Sequence, residues 1–148
     1  MQHCACVFDG TGVTDADKIK IYINGTEITL SYSGTLPTTT NATQGDFWIG
    51  ENEGWSGYAY DWLGGMSNMA IWDSALTDAN ILTIYNNGKP GDLTSLSPTS
   101  WWRLGEDAFA SVASPTAWTI PDQIGSNDGT SVGNPELVGE APQSYANG

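Results

Sequence analysis

The fold of this chain is decided by residues 62–88, which run WLGGMSNMAIWDSALTDANILTIYNNG. Residues 69–72 form an apolar run of the kind found in strands. Thr77 suits a helix N-cap, and apolar residues then recur at helical spacing. Residues 86–88 tolerate a positive φ and therefore end the helix. The pattern predicts a strand, a sharp turn and one short helix near residues 77–87.

The overall composition fits an all-β protein with many turns. The 148 residues include 18 glycines and 7 tryptophans, whereas charged residues make up only 14% of the chain. Few charges and many turn-forming residues are typical of antiparallel sheet proteins. The aromatic residues supply enough apolar area for a core, which argues against a disordered chain.

The charge balance excludes two classes of partner. The net charge is −13, because only four residues are cations. Such a surface repels nucleic-acid phosphates and anionic lipids, so we expect neither a nucleic acid nor a membrane as partner. No apolar run reaches membrane-spanning length, and residues 1–3 lead into a strand without a signal peptide. Either the protein is made and used without export, or the chain is a fragment; the first alternative, together with unpaired thiols, agrees with assembly in a cytoplasm.

Further strand patterns precede the deciding stretch. Residues 3–8 alternate and end at a turn. Residues 18–23 also alternate, and the Asn-Gly pair at 24–25 is the strongest hairpin signal in the chain. Residues 27–33 should return as the partner strand, and residues 47–50 should form another strand. We expect a core made of Val7, Ile19, Ile21, Ile23, Ile49, Met69, Ile71, Trp72, Ile81 and Trp102.

Alternation assigns the residues of these strands to faces. The isoleucines at 19, 21 and 23 should face the core, and Lys18, Lys20 and Tyr22 should face outward. Cys4 and Cys6 share one face as near neighbours, which is poor geometry for a mutual disulfide. A metal site with His3 would lack a second ligand cluster, so we interpret both cysteines as core thiols.

A different pattern begins after residues 95–100, which look like a linker. Residues 101–106 run WWRLGE, and residues 120–130 run IPDQIGSNDGT. Together with the strand, the "Ala-Leu-Thr" segment, the helix and the "Tyr-Asn-Asn-Gly" ending of the deciding stretch, these motifs carry a resemblance. The chain resembles the laminin-G-like domains of the concanavalin-A-like lectin/glucanase superfamily. Many relatives have acidic residues where this chain has Ser67 and Asn68, so an acidic role there does not transfer.

The resemblance implies an antiparallel β-sandwich of jelly-roll type. Residues 1–94 look like the C-terminal half of one module, and residues 95–148 look like the start of such a module. The chain is either a segment of a tandem array or a permuted or incomplete sandwich, and we favour the tail packing back on the first part as one domain. Missing middle strands would come from a homo-oligomer or a strand-completing protein partner.

An aromatic loop at residues 51–60, just before the deciding stretch, is the candidate ligand site. Aromatic faces stack on the C–H faces of sugars, and nearby amides and carboxylates can bond sugar hydroxyls. The competing interpretation is that the rings cover the end of the core, with Trp62 the first candidate for a core position. The predicted ligand-binding residues are Asn52, Trp55, Tyr58, Tyr60 and Asp61.

Metal binding and catalysis have weaker signals. Calcium takes oxygen ligands from loops, but no spacing here resembles a calcium loop, so the metal ligands stay unassigned. Glycoside hydrolysis needs two carboxylates beside the sugar bond, and the alternating pattern of the glucanase relatives is missing. We therefore expect a chain without enzymatic activity and without a required cofactor. The aspartates considered for calcium at strand ends are Asp9, Asp46, Asp61, Asp122 and Asp128.

The function expected from the resemblance is non-catalytic carbohydrate binding, adhesion or surface display, with a glycan or cell-surface polysaccharide as partner. Chains that join this closing segment to a "Trp-Trp-Arg-Leu-Gly" tail resemble structural modules of marine bacteriophage, which implies a place on the surface of a virion. Two alternatives stay open. One is a structural module that self-assembles through sheet edges, and the other is a degenerate glucanase with Glu51 and Glu53.

Overall fold

The computed structural model describes residues 2–40, 47–50, 62, 64–104 and 118–131, and the described chain is mostly strand and loop. The described residues form three small antiparallel sheets: one joins residues 4–8, 19–23 and 26–27 in that order, one joins 69–71 with 100–102, and one joins 119–120 with 129–130. The prediction of antiparallel sheet with a short helix is confirmed, and the complete sandwich stays a prediction. The elements are β1 (Cys4–Phe8), α1 (Asp15–Lys18), β2 (Ile19–Ile23), β3 (Thr26–Glu27), β4 (Met69–Ile71), α2 (Asp78–Tyr85), β5 (Ser100–Trp102), β6 (Thr119–Ile120) and β7 (Gly129–Thr130).

Local signals placed the helix correctly. The Thr77 side chain accepts a hydrogen bond from the Asn80 backbone N–H, and the Asn80 side chain accepts from the Thr77 N–H, which forms a capping box. Asn86 ends α2 in the left-handed region at φ 42°. The single turn α1 was not predicted, although Thr14 and Asp17 form a second capping box there. Neither helix in the described part of the chain has the length and hydropathy needed to cross a bilayer.

The predicted hairpin is present between β2 and β3. Asn24 and Gly25 both have positive φ values, 52° and 74°, as a tight hairpin turn requires. A Cβ on Gly25 would lie 2.8 Å from a ring carbon of Tyr85, so helix packing also demands glycine. The partner strand is shorter than the predicted 27–33, because pairing covers only Thr26–Glu27. Residues 47–50, predicted as a strand, are not assigned as one.

The prediction that Tyr22 and Lys18 face outward is wrong. Tyr22 is only 2% exposed, and Lys18 is also buried, whereas the isoleucines of β2 are half-buried. The reason is that α2 lies against the Tyr22 face, where the Tyr22 hydroxyl donates to Asp78 at 2.7 Å. The Lys18 ammonium donates to the carbonyl of Leu36 at 3.0 Å. Long side chains with satisfied polar tips can therefore form the buried face.

The observed core draws its residues from β2, α2, β5 and the segment that joins α2 to β5. Of the predicted core, Ile81 and Trp102 are buried, and the other members are half-buried. Antiparallel pairing of β4 with β5 places Ala70 opposite Trp101, which joins residues on both sides of the predicted boundary at 94. The division into residues 1–94 and 95–148 stays a prediction. The buried apolar residues are Tyr22, Ile81, Leu93, Trp101 and Trp102.

Candidate functional site

The aromatic loop is the predicted ligand site, and its two ends lie in the described chain. The Trp62 backbone N–H donates to the Gly50 carbonyl at 2.7 Å, so one hydrogen bond holds the two ends of the loop together. A Cβ on Gly50 would lie 3.1 Å from the Met66 sulfur, so the base of the loop is closely packed. The predicted ligand residues Asn52, Trp55, Tyr58, Tyr60 and Asp61 lie outside the described residues.

Trp62 itself is exposed, and the prediction of a core position is wrong. Its exposed fraction is 62%, and its indole nitrogen would lie 3.2 Å from a Cβ built on Gly64. The ring therefore lies along glycine backbone, which offers no side chain to cover it. Phe47, at the other end of the loop, is 60% exposed and stacks on Trp102 at a centroid distance of 6.2 Å. Two exposed aromatic rings thus flank the loop, and sequence patterns did not identify Phe47.

A cavity of about 660 Å³ lies between β1 and β4, and residues 72–76 and α2 also line it. Its walls are mostly apolar, with Phe8, Met69 and Leu93 among them. Asn68 is one of its polar residues, and its side chain is already engaged. Its Oδ1 accepts from the Trp101 indole N–H at 3.1 Å, and its Nδ2 donates to Ser67 at 2.8 Å. Asn68 therefore anchors β4 to β5, and its φ of 54° suits asparagine.

His3 also lines this cavity. Its ring lies beside that of Tyr85, with centroids 5.9 Å apart, and its Nδ1 is buried without a hydrogen-bond partner among the described residues. Burial lowers the pKa of His3 below its usual value, so the ring is neutral at pH 7. A neutral imidazole against a tyrosine ring fits a packing role.

The cysteines differ from the prediction of core thiols. Cys4 and Cys6 are both exposed, and alternation along β1 places their side chains on one face of the strand. Burial and the neighbouring Cys4 raise the pKa of the Cys6 thiol, which keeps it protonated at neutral pH. Within the described ranges, no group of three or more His, Cys, Asp or Glu residues could hold a metal ion.

The aspartates considered for calcium serve local hydrogen bonds where they are described. Asp9 accepts from the backbone and the hydroxyl of Thr11, which is turn chemistry. Asp128 accepts from the Asp122 backbone N–H at 2.9 Å. Asp46 and Asp61 lie outside the described residues, so a calcium site that includes them stays a prediction.

Of the three aspartates in this set that the structure describes, Asp122 accepts the most hydrogen bonds. Only 8% of it is exposed, and it accepts from the backbone N–H groups of Trp101, Ile124 and Asn127 at 3.0–3.3 Å. Burial would raise the pKa of Asp122, but hydrogen bonds from the backbone of Trp101, Ile124 and Gly125 and from the Ser100 side chain outweigh it and leave the pKa below its usual value. The carboxylate therefore holds the tail loop against β5, and that structural role accounts for its burial.

Comparison with protein families identifies the chain. A laminin G family model, described as the concanavalin A-like lectin/glucanases superfamily, matches residues 1–82, which is more than half of the chain. The chain belongs to the concanavalin A-like lectin/glucanase superfamily. No curated protein and no solved structure matches it significantly.

The superfamily match covers β1, the hairpin, the aromatic loop and the start of α2. Residues 83–148 lie outside it, so the interpretation of the tail as the start of a second module stays a prediction. The name of the superfamily covers both lectins, which bind sugars, and glucanases, which hydrolyse them. The match alone does not distinguish a binding protein from a hydrolase. Among the cavity-lining residues that the structure describes, Asp73 is the one carboxylate, while Glu51 and Glu53 lie outside the described ranges.

Proposed function

We propose that this chain is a non-catalytic carbohydrate-binding module whose ligand surface is the aromatic loop with its flanking rings. The observation that carries the proposal is the exposure of Trp62 at the closed base of that loop. Large aromatic side chains contribute most of their energy when they are covered, so an exposed indole beside an exposed phenyl ring provides a surface for a ligand. The C–H face of a sugar ring fits that surface.

The shape of the loop base supports a preorganised platform. The Trp62 backbone is held by the hydrogen bond to Gly50, and Phe47 is held by its stacking on Trp102. A backbone and a ring that are held before the ligand arrives lose little freedom on binding, which favours affinity. The five predicted ligand residues of the loop would add hydroxyl contacts and further stacking.

The net negative charge of the protein favours neutral glycans over acidic ones as ligands. With a net charge of −13, the protein repels polyanionic chains such as sulfated or uronic-acid polysaccharides at low salt. Neutral glycans bind aromatic platforms without this penalty. We therefore expect neutral hexose polymers to bind better than acidic ones at low salt, and the difference to shrink as salt screens the charges.

A glycan array followed by titration calorimetry tests the proposal. Replacement of Trp62 or Trp55 by alanine should weaken binding of the best neutral glycan about tenfold, since a lost stacking partner costs about 1.4 kcal/mol. Tyr32→Ala is the matched control, because Tyr32 is an exposed aromatic residue on another part of the surface. Unchanged affinity in both tryptophan variants, or no glycan binding by the wild type, would contradict the proposal.

The degenerate-glucanase alternative is tested with the same material. Release of reducing sugar from β-glucans by the wild type, lost in a Glu51→Gln/Glu53→Gln double variant, would favour hydrolysis and reject the non-catalytic proposal. No release by the wild type is the expected result.

The place of action that we propose is the surface of a phage particle. The support is the resemblance of the "Trp-Trp-Arg-Leu-Gly" tail to structural modules of marine bacteriophage. Peptides of this chain should be found by mass spectrometry in purified particles that carry its gene. Their presence only in the soluble lysate fraction would contradict this location.

A further inference from the structure

Two Asn-Gly pairs lie in described turns and share a backbone form, but their surroundings differ. Asn24 and Gly25 form the hairpin turn, and Asn87 and Gly88 follow the end of α2. Both asparagines lie in the left-handed region, with φ values of 52° and 55°. A third Asn-Gly pair, at 147–148, lies outside the described residues.

An Asn-Gly pair can modify itself without an enzyme. The backbone nitrogen of the glycine loses its proton to solvent base and attacks the side-chain amide carbon of the asparagine, and the side-chain nitrogen leaves as ammonia. The resulting succinimide ring takes up one water molecule and opens to aspartate or isoaspartate. Glycine favours the attack because it has no Cβ beside the attacking nitrogen. The asparagine side chain must turn toward the next residue, so the surroundings of each pair control its rate.

The hairpin turn holds both the side chain and the backbone of Asn24. The Asn24 Oδ1 accepts from the His3 backbone N–H at 3.0 Å, and the Asn24 N–H donates to the His3 carbonyl at 2.9 Å. A Cβ on Gly25 would lie 2.8 Å from Tyr85 and 3.1 Å from Leu82, so α2 packs tightly on the turn. Rotation of the Asn24 side chain would therefore break a hydrogen bond in a turn that α2 already confines.

Asn87 lacks these restraints. It is exposed, and its side chain makes no hydrogen bond within the described part of the chain. The side chain of the neighbouring Asn86, in contrast, donates to the Lys89 carbonyl at 3.1 Å. A Cβ on Gly88 would lie no closer than 3.9 Å to the Tyr85 ring, so the glycine has open space around it. The left-handed φ of Asn87 also interrupts the short helical turn here, and helix ends fray first.

We propose that Asn87 is a site of spontaneous deamidation and isoaspartate formation, and that the fold protects Asn24 from the same reaction. The modification turns a neutral residue into an anion at the C-terminal end of α2, where the helix dipole disfavours negative charge. Isoaspartate also inserts one more carbon into the backbone of the turn that ends the helix. The modification therefore weakens the end of α2 that packs on the hairpin turn.

Peptide mapping of the aged wild type tests the proposal. The folded protein is incubated at mildly alkaline pH and digested with chymotrypsin, which separates the two sites because it cleaves after Tyr22 and Tyr85. Mass spectrometry should find Asn87 deamidated about tenfold faster than Asn24, the ratio expected when one more hydrogen bond must break. An isoaspartyl methyltransferase should label the Asn87 peptide.

The same incubation in guanidinium chloride is the matched control. Both pairs have the same local sequence chemistry, so their deamidation rates should become similar once the fold is lost. Equal rates in the folded protein, an unmodified Asn87, or the same rate ratio in denaturant would overturn the proposal.

Two variants of His3 test what protects Asn24. His3→Pro removes the backbone N–H that binds the Asn24 Oδ1, whereas His3→Ala removes the imidazole and keeps that N–H. Deamidation of Asn24 should accelerate severalfold in His3→Pro and stay near the wild-type rate in His3→Ala, with an unchanged rate for Asn87 in both. Equal Asn24 rates in the two variants would overturn the protection assigned to this hydrogen bond.

Discussion

The side of the β1-β2-β3 sheet that faces α2 and the base of the aromatic loop differ in how far their aromatic residues are exposed. Tyr22 is 2% exposed under α2, and its hydroxyl donates to Asp78 at 2.7 Å. Trp62 is 62% exposed, and its backbone N–H is bound to Gly50. The first ring contributes its area to the fold, whereas the second leaves its area for a ligand. Stability and binding should therefore depend on different aromatic residues.

The largest expected effect is at Tyr22. Tyr22→Ala removes a fully buried ring and should lower the free energy of unfolding by about 3–5 kcal/mol, as for other large aromatic truncations. Trp62→Ala should change it by no more than about 0.5 kcal/mol, because the ring is mostly in water. Urea unfolding of both variants measures the difference. A larger loss for Trp62→Ala than for Tyr22→Ala would reverse the assignment of the two regions.

Asp122 should give the next largest effect. Asp122→Ala leaves buried backbone N–H groups of the tail loop without an acceptor, and unsatisfied donors of this kind cost about 1–3 kcal/mol. Asp73→Ala is the control, since Asp73 is an exposed aspartate in a loop. Thermal unfolding should show a lower melting temperature for Asp122→Ala only. An equal melting temperature in the two variants would show that β5 does not depend on the carboxylate.

The same carboxylate predicts the direction of the pH dependence. The folded-state pKa of Asp122 lies below its usual value, so the unfolded chain binds a proton more readily than the folded one. The stabilisation is present above the unfolded pKa of about 3.9, and it is lost as the pH falls through the folded pKa. Urea midpoints between pH 6 and pH 3 should fall in the wild type and fall less in Asp122→Ala. Parallel pH profiles for the two proteins would contradict this role.

The hydroxyl of Tyr22 should contribute a smaller amount. Tyr22→Phe keeps the packed ring and removes the hydrogen bond to Asp78, a loss of about 1 kcal/mol. Tyr32→Phe is the matched control, because its hydroxyl makes only a long contact of 3.4 Å with the Ile19 carbonyl. Chemical denaturation of both variants should separate them. No change in Tyr22→Phe would mean that the ring alone fixes α2 on the sheet.

Local signals determined how much of the fold could be predicted. The capping box at Thr77 and the Asn-Gly turn at 24–25 act within a few residues, and both predictions are confirmed. The faces of β2 could not be assigned, because Ile21 and Tyr22 are both able to pack in a core. Contact with α2, which follows more than fifty residues later in the sequence, decides between the two faces.

The candidate site was less predictable for a related reason. Composition located the aromatic loop, but exposure depends on neighbours from other elements. Trp62 has glycine backbone beside its ring, and Phe47 stacks on a residue of β5. Cys4 and Cys6 are exposed although the alternation of β1 suggested core thiols. The sequence pattern of the loop or of β1 alone does not indicate such long-range contacts, so it could not predict which of these side chains are exposed.

Calorimetric titration of the best neutral glycan into the wild type, Trp62→Ala and Tyr22→Phe tests the central claim most directly. Binding should weaken about tenfold in Trp62→Ala while its unfolding free energy stays within about 0.5 kcal/mol of the wild type. Tyr22→Phe should bind as the wild type does, although it is less stable. Wild-type affinity in Trp62→Ala would contradict the account and remove the exposed indole as a ligand platform.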